Sequence, residues 1–356
     1  MATTNRLRTE AELADIYEEV ELVLLHMMAQ RLKRRPDVAD WQLDKLLELQ
    51  RFRTEAAGRL RSSTAELKAG VLQLLRERYH DGSALASAVA SSLGERHNRG
   101  LLLPRGDSYE LLALLREQVS MVDASAFTIL RSVEDAYRDI VRQAAAPALS
   151  TGTVTRTDAV QLGLNKLADR GLTGFTDRSG RKWEMRAYVE MATGTAAHRA
   201  STQGHLDQLT AEGYDRVRVS DHAGECPTCR KWEGRVLSIA GATPGIPTVA
   251  AARAAGLEHP GCRHRYSVYL PGVSKAQKPQ GKPEDYDHRV QQRAIERRIR
   301  AWKRRAAVGD PKGPAYVKKW KGALAEHVEA HGLTRRYDRE RVMTGETGQF
   351  ADLKPR

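Results

Sequence analysis

All three cysteines of this 356-residue chain fall between residues 226 and 262, and that concentration limits the fold more than any other feature. "ECPTCRKWEGRVLSI" sets Cys226 and Cys229 two residues apart, and "HPGCRH" repeats the gap with His259 and Cys262 just before His264. A turn across such a gap presents two donor atoms about 4 Å apart, close to one edge of a tetrahedron around zinc. Two knuckles joined by a loop supply four ligands, so the fold must bring both loops together. The expected ligands are Cys226, Cys229, Cys262 and either His259 or His264, and the expected ion is Zn2+. A site with four protein ligands is closed, which predicts a structural staple rather than a Lewis acid. Arg263, between two candidate ligands, is expected to hydrogen-bond a thiolate or a nearby carboxylate, and Trp232 to pack over the first knuckle. Three cysteines in one place do not make a disulfide framework, and they point to a reducing compartment.

Around this segment the pattern is helical. Leu13, Ile16, Tyr17, Val20, Leu24, Met27 and Met28 recur at three and four residues, which predicts an amphipathic helix from Glu10 to about Leu32. Pro36 cannot continue it. A second helix is expected to begin near Asp40. "SST" at 62–64 reads as the N-cap of a third that reaches Tyr79, and 83–95, 108–120 and 124–147 read as further helices. Aromatic residues make up only 6% of the chain, which suits helices packed on Leu, Ala and Val. Beyond residue 150 a helix reaches about Arg170, and Phe175 and Trp183 flank the polar turn of a short hairpin. A long helix follows from Glu184 to about Gly213, and "YDRVRVSDH", "RVLSI" and "SVYL" alternate as strands. The fold class expected is α+β, mostly α. A helical array spans 1–150, an α+β domain with a small zinc-stapled sheet spans 151–272, and a basic helical tail spans 273–356. The residues from 274 to 285 read as an exposed arm, and the end "TGETGQFADLKPR" as disordered.

The formal charge of +13 is concentrated in that tail: Val273 to Lys321 holds fifteen Lys and Arg against five Asp and Glu. Trp302, Tyr316 and Trp320 are interleaved with the cations, as at sites for nucleic acid or acidic partners. A helix from about His288 to Arg305 would align Arg293, Arg297, Arg300 and Arg304 on one face. Together with Trp302, Arg305, Lys318 and Lys319 these are the expected contacts to the phosphates of double-stranded DNA or to a protein partner. No apolar run exceeds the ten residues of "VELVLLHMMA", too few to span a membrane.

Enzyme chemistry finds no assembled constellation. Zinc deaminases separate an HxE motif from a downstream PCxxC, whereas "HAGECPTC" compresses such residues, with His222 and Glu225 three apart and the proline after the first cysteine. No nuclease-type catalytic strand and no nucleotide pocket for a transferase can be placed. Asp221 and Glu225 read as solvated turn residues.

The run from "YVEMATGTAAHRAS" through "VRVSDHAGECPTCRKWEGRVLSI", with "HPGCRHRYSVYLPGVS", resembles the minor capsid protein 2 of tailed phages and the related Mu F-like head-morphogenesis proteins. Ser220, His222, Cys226, Cys229, Trp232, Gly234, Ser238, His259, Pro260, Cys262 and Arg263 carry the likeness. "IYEEVELVLLHMMAQRLKR" and "DWQLDKLLELQ" resemble the opening helices of that group, and "QQRAIERRIRAWKRR" its terminal basic helix. Mu F-like proteins often end the motif in Cys-Arg-Cys, and His264 stands at that last position here, so the fourth ligand stays open between His259 and His264. The resemblance implies a non-enzymatic structural protein of the phage head, present in few copies. It further implies association with portal and capsid proteins and packaged DNA, in the virion and, during assembly, in the host cytoplasm. The alternatives are a phage-delivered enzyme or effector using the Cys/His segment, and a DNA-binding zinc protein with no capsid role.

Overall fold

A computed structural model describes residues 9–93, 108–145, 155–172, 175–176, 182–221, 226–241, 243–274 and 283–340. His222, Glu225, most of the expected arm at 274–285 and the expected disordered end lie outside the described residues. Helix α1 (Glu10–Lys33) follows the apolar periodicity and buries Leu13, Tyr17, Val20, Leu24 and Met28, but also Glu18 and Glu21.

Helix α2 (Trp41–Ser92) is one continuous element where the sequence suggested three. Thr64, read as an N-cap residue, is buried at 7% exposure in line with Leu60, Leu67 and Val71. A hydroxyl small enough to join the apolar stripe does not end a helix whose 3.6-residue pattern continues on both sides. Helix α3 (Tyr109–Ala144) likewise runs through "VDAS", where Ser125 Oγ donates back to the Met121 carbonyl at 2.8 Å. Helix α4 (Arg156–Arg170) opens on a capping box between Thr155 and Asp158, which satisfies two amide groups that a helix start leaves free.

The expected hairpin is present, with β1 (Phe175–Thr176) antiparallel to β2 (Lys182–Trp183). Helix α5 (Met185–Ala211) leads into β3 (Arg216–Val219). Short α6 (Pro227–Arg230), β4 (Val236–Ser238), α7 (Val249–Ala254) and β5 (Tyr266–Val268) follow. The three strands form an antiparallel sheet of order β4-β3-β5, with Val217 opposite Leu237 on one side and Val268 on the other. Helices α8 (Pro283–Ala307), α9 (Gly313–Ala330) and α10 (Tyr337–Glu340) complete a mostly helical α+β protein.

Two compact units divide the chain. The first comprises Met1–Glu10, Ala69–Ser120 and Met191–Val290; the second comprises Ala11–Lys68, Met121–Glu190 and Gln291–Arg356. The first unit holds the sheet, and its core joins Ala86, Leu206, Leu209, Val217, Val219, Leu237, Val249 and Leu257 to Cys229, Trp232 and Tyr266. Each fully buried Val or Leu there contributes roughly 1.5–3 kcal/mol. In this unit α2 and α5 touch backbone to backbone. A Cβ on Gly82 would meet the Ser201 carbonyl oxygen at 1.9 Å, and one on Gly204 would meet the Tyr79 carbonyl oxygen at 2.0 Å. Ser83 Oγ bridges the crossing to the Gly204 carbonyl at 3.1 Å, and Tyr79 donates its hydroxyl to Asp207 at 2.7 Å.

The second unit packs α1 against an unusual set of buried ionisable groups. Arg186, fully buried, pairs with Glu18 at 2.9 Å and Asp15 at 2.8 Å, and Glu184 lies against Arg300 and Arg304.

Candidate metal centre and basic tail

Both knuckles close with a hydrogen bond across three residues, the first as the opening turn of α6 and the second as a turn through Gly261. The Cys226 carbonyl accepts from the Cys229 amide at 3.1 Å, and the His259 carbonyl accepts from the Cys262 amide at 2.9 Å. Gly261, between the second pair of donors, has a φ of +83°, a left-handed conformation that only glycine adopts without strain. Glu258, one residue earlier, is 1% exposed; Arg253 of α7 donates to it at 2.8 Å and Tyr266 of β5 at 2.6 Å. A buried carboxylate with those partners fixes where the second knuckle stands.

All five candidate ligands converge. Cys229 Sγ lies 3.7 Å from Cys262 Sγ, Cys226 Sγ lies 2.7 Å from His259 Nε2, and Cys262 Sγ lies 3.3 Å from His264 Nδ1. Two overlapping sets share Cys229: Cys226, Cys229 and His259, and Cys229, Cys262 and His264, each with donor atoms within 4.8 Å of one another. The far nitrogen of each imidazole faces an acceptor. His259 Nδ1 lies 2.9 Å from the Pro260 carbonyl, and His264 Nε2 lies 2.7 Å from Glu233 Oε1. Cys262 is the acidic thiol: its hydrogen bond with Cys229 holds it well below the usual thiol range, with His198 and His264 adding to the effect against burial. The same contact pushes Cys229 up, with burial adding to it. A divalent cation that replaces the shared proton would satisfy both sulfurs.

Three residues here were not singled out from the sequence. Glu233 is 31 positions from the histidine it holds, and no spacing rule links them. His198 of α5 lies beside Cys262 and favours its thiolate; its Nε2 is buried with no hydrogen-bond partner among the described residues. Glu258 carried no signal except its place before His259. Trp232 is 8% exposed and packs in the same core as Cys229, with Arg235 over its ring at 5.5 Å. Arg263 is exposed.

The tail departs from the expected arginine stripe. Arg293 and Arg297 are exposed, but Arg300 and Arg304 are 4% and 1% exposed. Arg300 donates to both Glu184 oxygens at 3.1 Å, and Arg304 donates to Glu184 at 2.6 Å and to the Ala168 carbonyl at 2.8 Å. Those two guanidinium groups therefore belong to the core of the second unit and cannot follow a phosphate backbone. Arg305 pairs with Asp310 at 2.5 Å and Asp169 at 3.1 Å. The aromatics are also engaged: Trp302 stacks on Tyr316 with centroids 4.0 Å apart, under Arg305 at 4.2 Å, and Arg298 covers Trp320 at 4.5 Å. Lys318 and Lys319 of α9 are exposed.

The sequence profile of phage minor capsid protein 2 matches residues 5–329, a span that takes in both knuckles and helices α1 to α9. The chain belongs to that family. No curated protein and no solved structure matches it. A minor capsid protein is a structural part of the virion and assembles with other proteins of the phage head. No described helix is long and apolar enough to cross a membrane.

Proposed function

We propose that this minor capsid protein is a non-enzymatic, low-copy component of the head that docks beside the portal and touches the phosphate backbone of packaged DNA. It is assembled in the host cytoplasm before the head is filled. The observation that carries the DNA contact is the division of labour among the tail cations. Arg300, Arg304 and Arg305 are neutralised by carboxylates, while Arg297, Lys318 and Lys319 stay exposed on α8 and α9. Such contacts carry no base information, so binding is sequence-independent and falls steeply with salt.

Zinc, in this reading, staples the knuckles. The donors are thiolates and imidazoles, the set that selects zinc. The 3.7 Å between Cys229 and Cys262 is close to the edge of about 3.8 Å expected for two sulfurs on a tetrahedral ion with Zn–S of about 2.3 Å. Donors turned toward one another in this way support a holding role rather than an open catalytic position.

Retention of random duplex DNA by the full chain, at low and moderate salt, tests the proposal. A truncation at Gly272 is unsuitable, because it would strip Arg300 and Arg304 from the core. The double variant Lys318→Glu, Lys319→Glu leaves that core intact and should reduce the slope of log affinity against log salt by about 2. Equal binding by both proteins, or none by either at low salt, removes the DNA role. Competition by purified portal protein for the same lysines would then favour portal docking.

A further inference from the structure

Two sets of three donors overlap at Cys229, five donors in all, where one tetrahedral ion takes four. We infer that His264, oriented by Glu233, is the nitrogen ligand of the metal, with Cys226, Cys229 and Cys262 as the three sulfurs, and that His259 is dispensable for binding. This rests on the zinc reading above and settles which imidazole serves it.

Three observations separate the histidines. The first is the partner of the outer nitrogen. A carboxylate only accepts, so the 2.7 Å contact between Glu233 Oε1 and His264 Nε2 requires the proton on Nε2. That leaves Nδ1, which faces Cys262 Sγ at 3.3 Å, as the nitrogen a metal would take in place of any proton there. Histidine ligands are oriented in this way by a carboxylate or carbonyl behind them, and a carboxylate also makes the ring a better donor. His259 has only the carbonyl of its own neighbour Pro260, at 2.9 Å.

Burial is the second. His264 and Glu233 have side chains 2% and 1% exposed, so water cannot compete for either, whereas His259 is only half-buried.

Spacing is the third. With Zn–S of about 2.3 Å and Zn–N of about 2.05 Å, a sulfur and a nitrogen on one tetrahedral ion lie about 3.5 Å apart. Cys262 and His264 already stand at 3.3 Å, but Cys226 and His259 at 2.7 Å, too close to share an ion without moving apart.

The test uses full-length protein loaded with zinc for stoichiometry and X-ray absorption, and with cobalt(II) for ligand counting by its visible spectrum. Wild type should bind one equivalent with three sulfurs and one nitrogen. His259→Ala should keep that spectrum and an affinity within about threefold of wild type, while His264→Ala should lose the nitrogen. Because His264→Ala empties a buried position and can unfold the protein, a ligand exchange gives the independent reading. His264→Cys should add a fourth thiolate to the cobalt spectrum, and His259→Cys should not. Glu233→Gln, a change in a positioning residue, should keep the ligand set and lower zinc affinity about tenfold to a hundredfold. A fourth thiolate from His259→Cys with none from His264→Cys would overturn the assignment while leaving zinc binding intact. Two equivalents of metal bridged by Cys229 would also overturn it. Wild-type protein that takes up no metal would sink the zinc reading and this inference together.

Discussion

Replacing glycine by alanine inside a helix ordinarily stabilises it by about 1 kcal/mol, because glycine loses more backbone freedom on folding. Helix α2 offers that substitution in two opposite settings. At Gly58 nothing lies within 4 Å of the added methyl, and Gly58→Ala should raise stability by up to about 1 kcal/mol. At Gly82 the methyl would stand 1.9 Å from the Ser201 carbonyl oxygen and 3.1 Å from the His205 amide, and at Gly204 it would stand 2.0 Å from the Tyr79 carbonyl oxygen. A carbon needs about 3.3 Å from a carbonyl oxygen, so each methyl falls more than 1 Å short. The obstruction is backbone and cannot rotate away. The helices must separate, loosening Ala86, Leu206 and Leu209 from the core around Cys229. Overpacking typically costs about 1–3 kcal/mol, and this case belongs at the upper end. After the helix gain is subtracted, Gly82→Ala and Gly204→Ala should each lose about 2 kcal/mol. The double variant should lose less than the sum, since one separation admits both methyls. Urea titration of the four proteins against wild type measures this. If Gly82→Ala or Gly204→Ala stabilises as much as Gly58→Ala, the backbone-to-backbone crossing is wrong.

Two buried carboxylates give further tests. Burial would raise the Glu184 carboxyl, but Arg300 and Arg304 outweigh it and hold the group well below its ordinary value of 4.5. A depressed carboxylate contributes stability that is present above the unfolded value and lost as pH falls through the folded one. Glu184→Gln should therefore cost about 3–5 kcal/mol near neutral pH, and the gap to wild type should narrow below pH 4.5; a gap independent of pH counts against the ion cluster. Glu258→Gln removes the charge facing Arg253 and should cost about 1–3 kcal/mol while weakening zinc uptake; melting and metal affinity that both stay at wild-type values would show that the second knuckle is positioned by other contacts.

What the sequence made legible follows from the range of each interaction. The periodicity of α1 and the alternation around Val217 and Val219 are local, and the corresponding elements form where they were expected. The paired gaps of two residues report local turns, and both knuckles fold as such turns. Where a residue's role depends on a distant partner, the sequence misled. A helix boundary was expected between Tyr79 and residue 83, yet α2 runs through it, and Gly82 stands where α5 approaches. Glu233 was invisible as the holder of His264 for the same reason.

The arginines of α8 show what that limitation means for function. A charged side chain is normally placed outside, because burying it alone costs several kcal/mol. Arg300 and Arg304 are inside because Glu184, 116 and 120 positions away, meets them there. Their charge is thus bound internally and releases no counterions on DNA. From residue 291 to 321, seven cations remain exposed: Arg293, Arg297, Arg298, Lys312, Lys318, Lys319 and Lys321. Since each neutralised phosphate contributes about 0.9 to the salt slope, this surface can support a slope no steeper than about 6. A steeper measured dependence would require cations from elsewhere in the chain. A shallow one that survives Lys318→Glu, Lys319→Glu would mean that these lysines face a protein of the head rather than the packaged DNA.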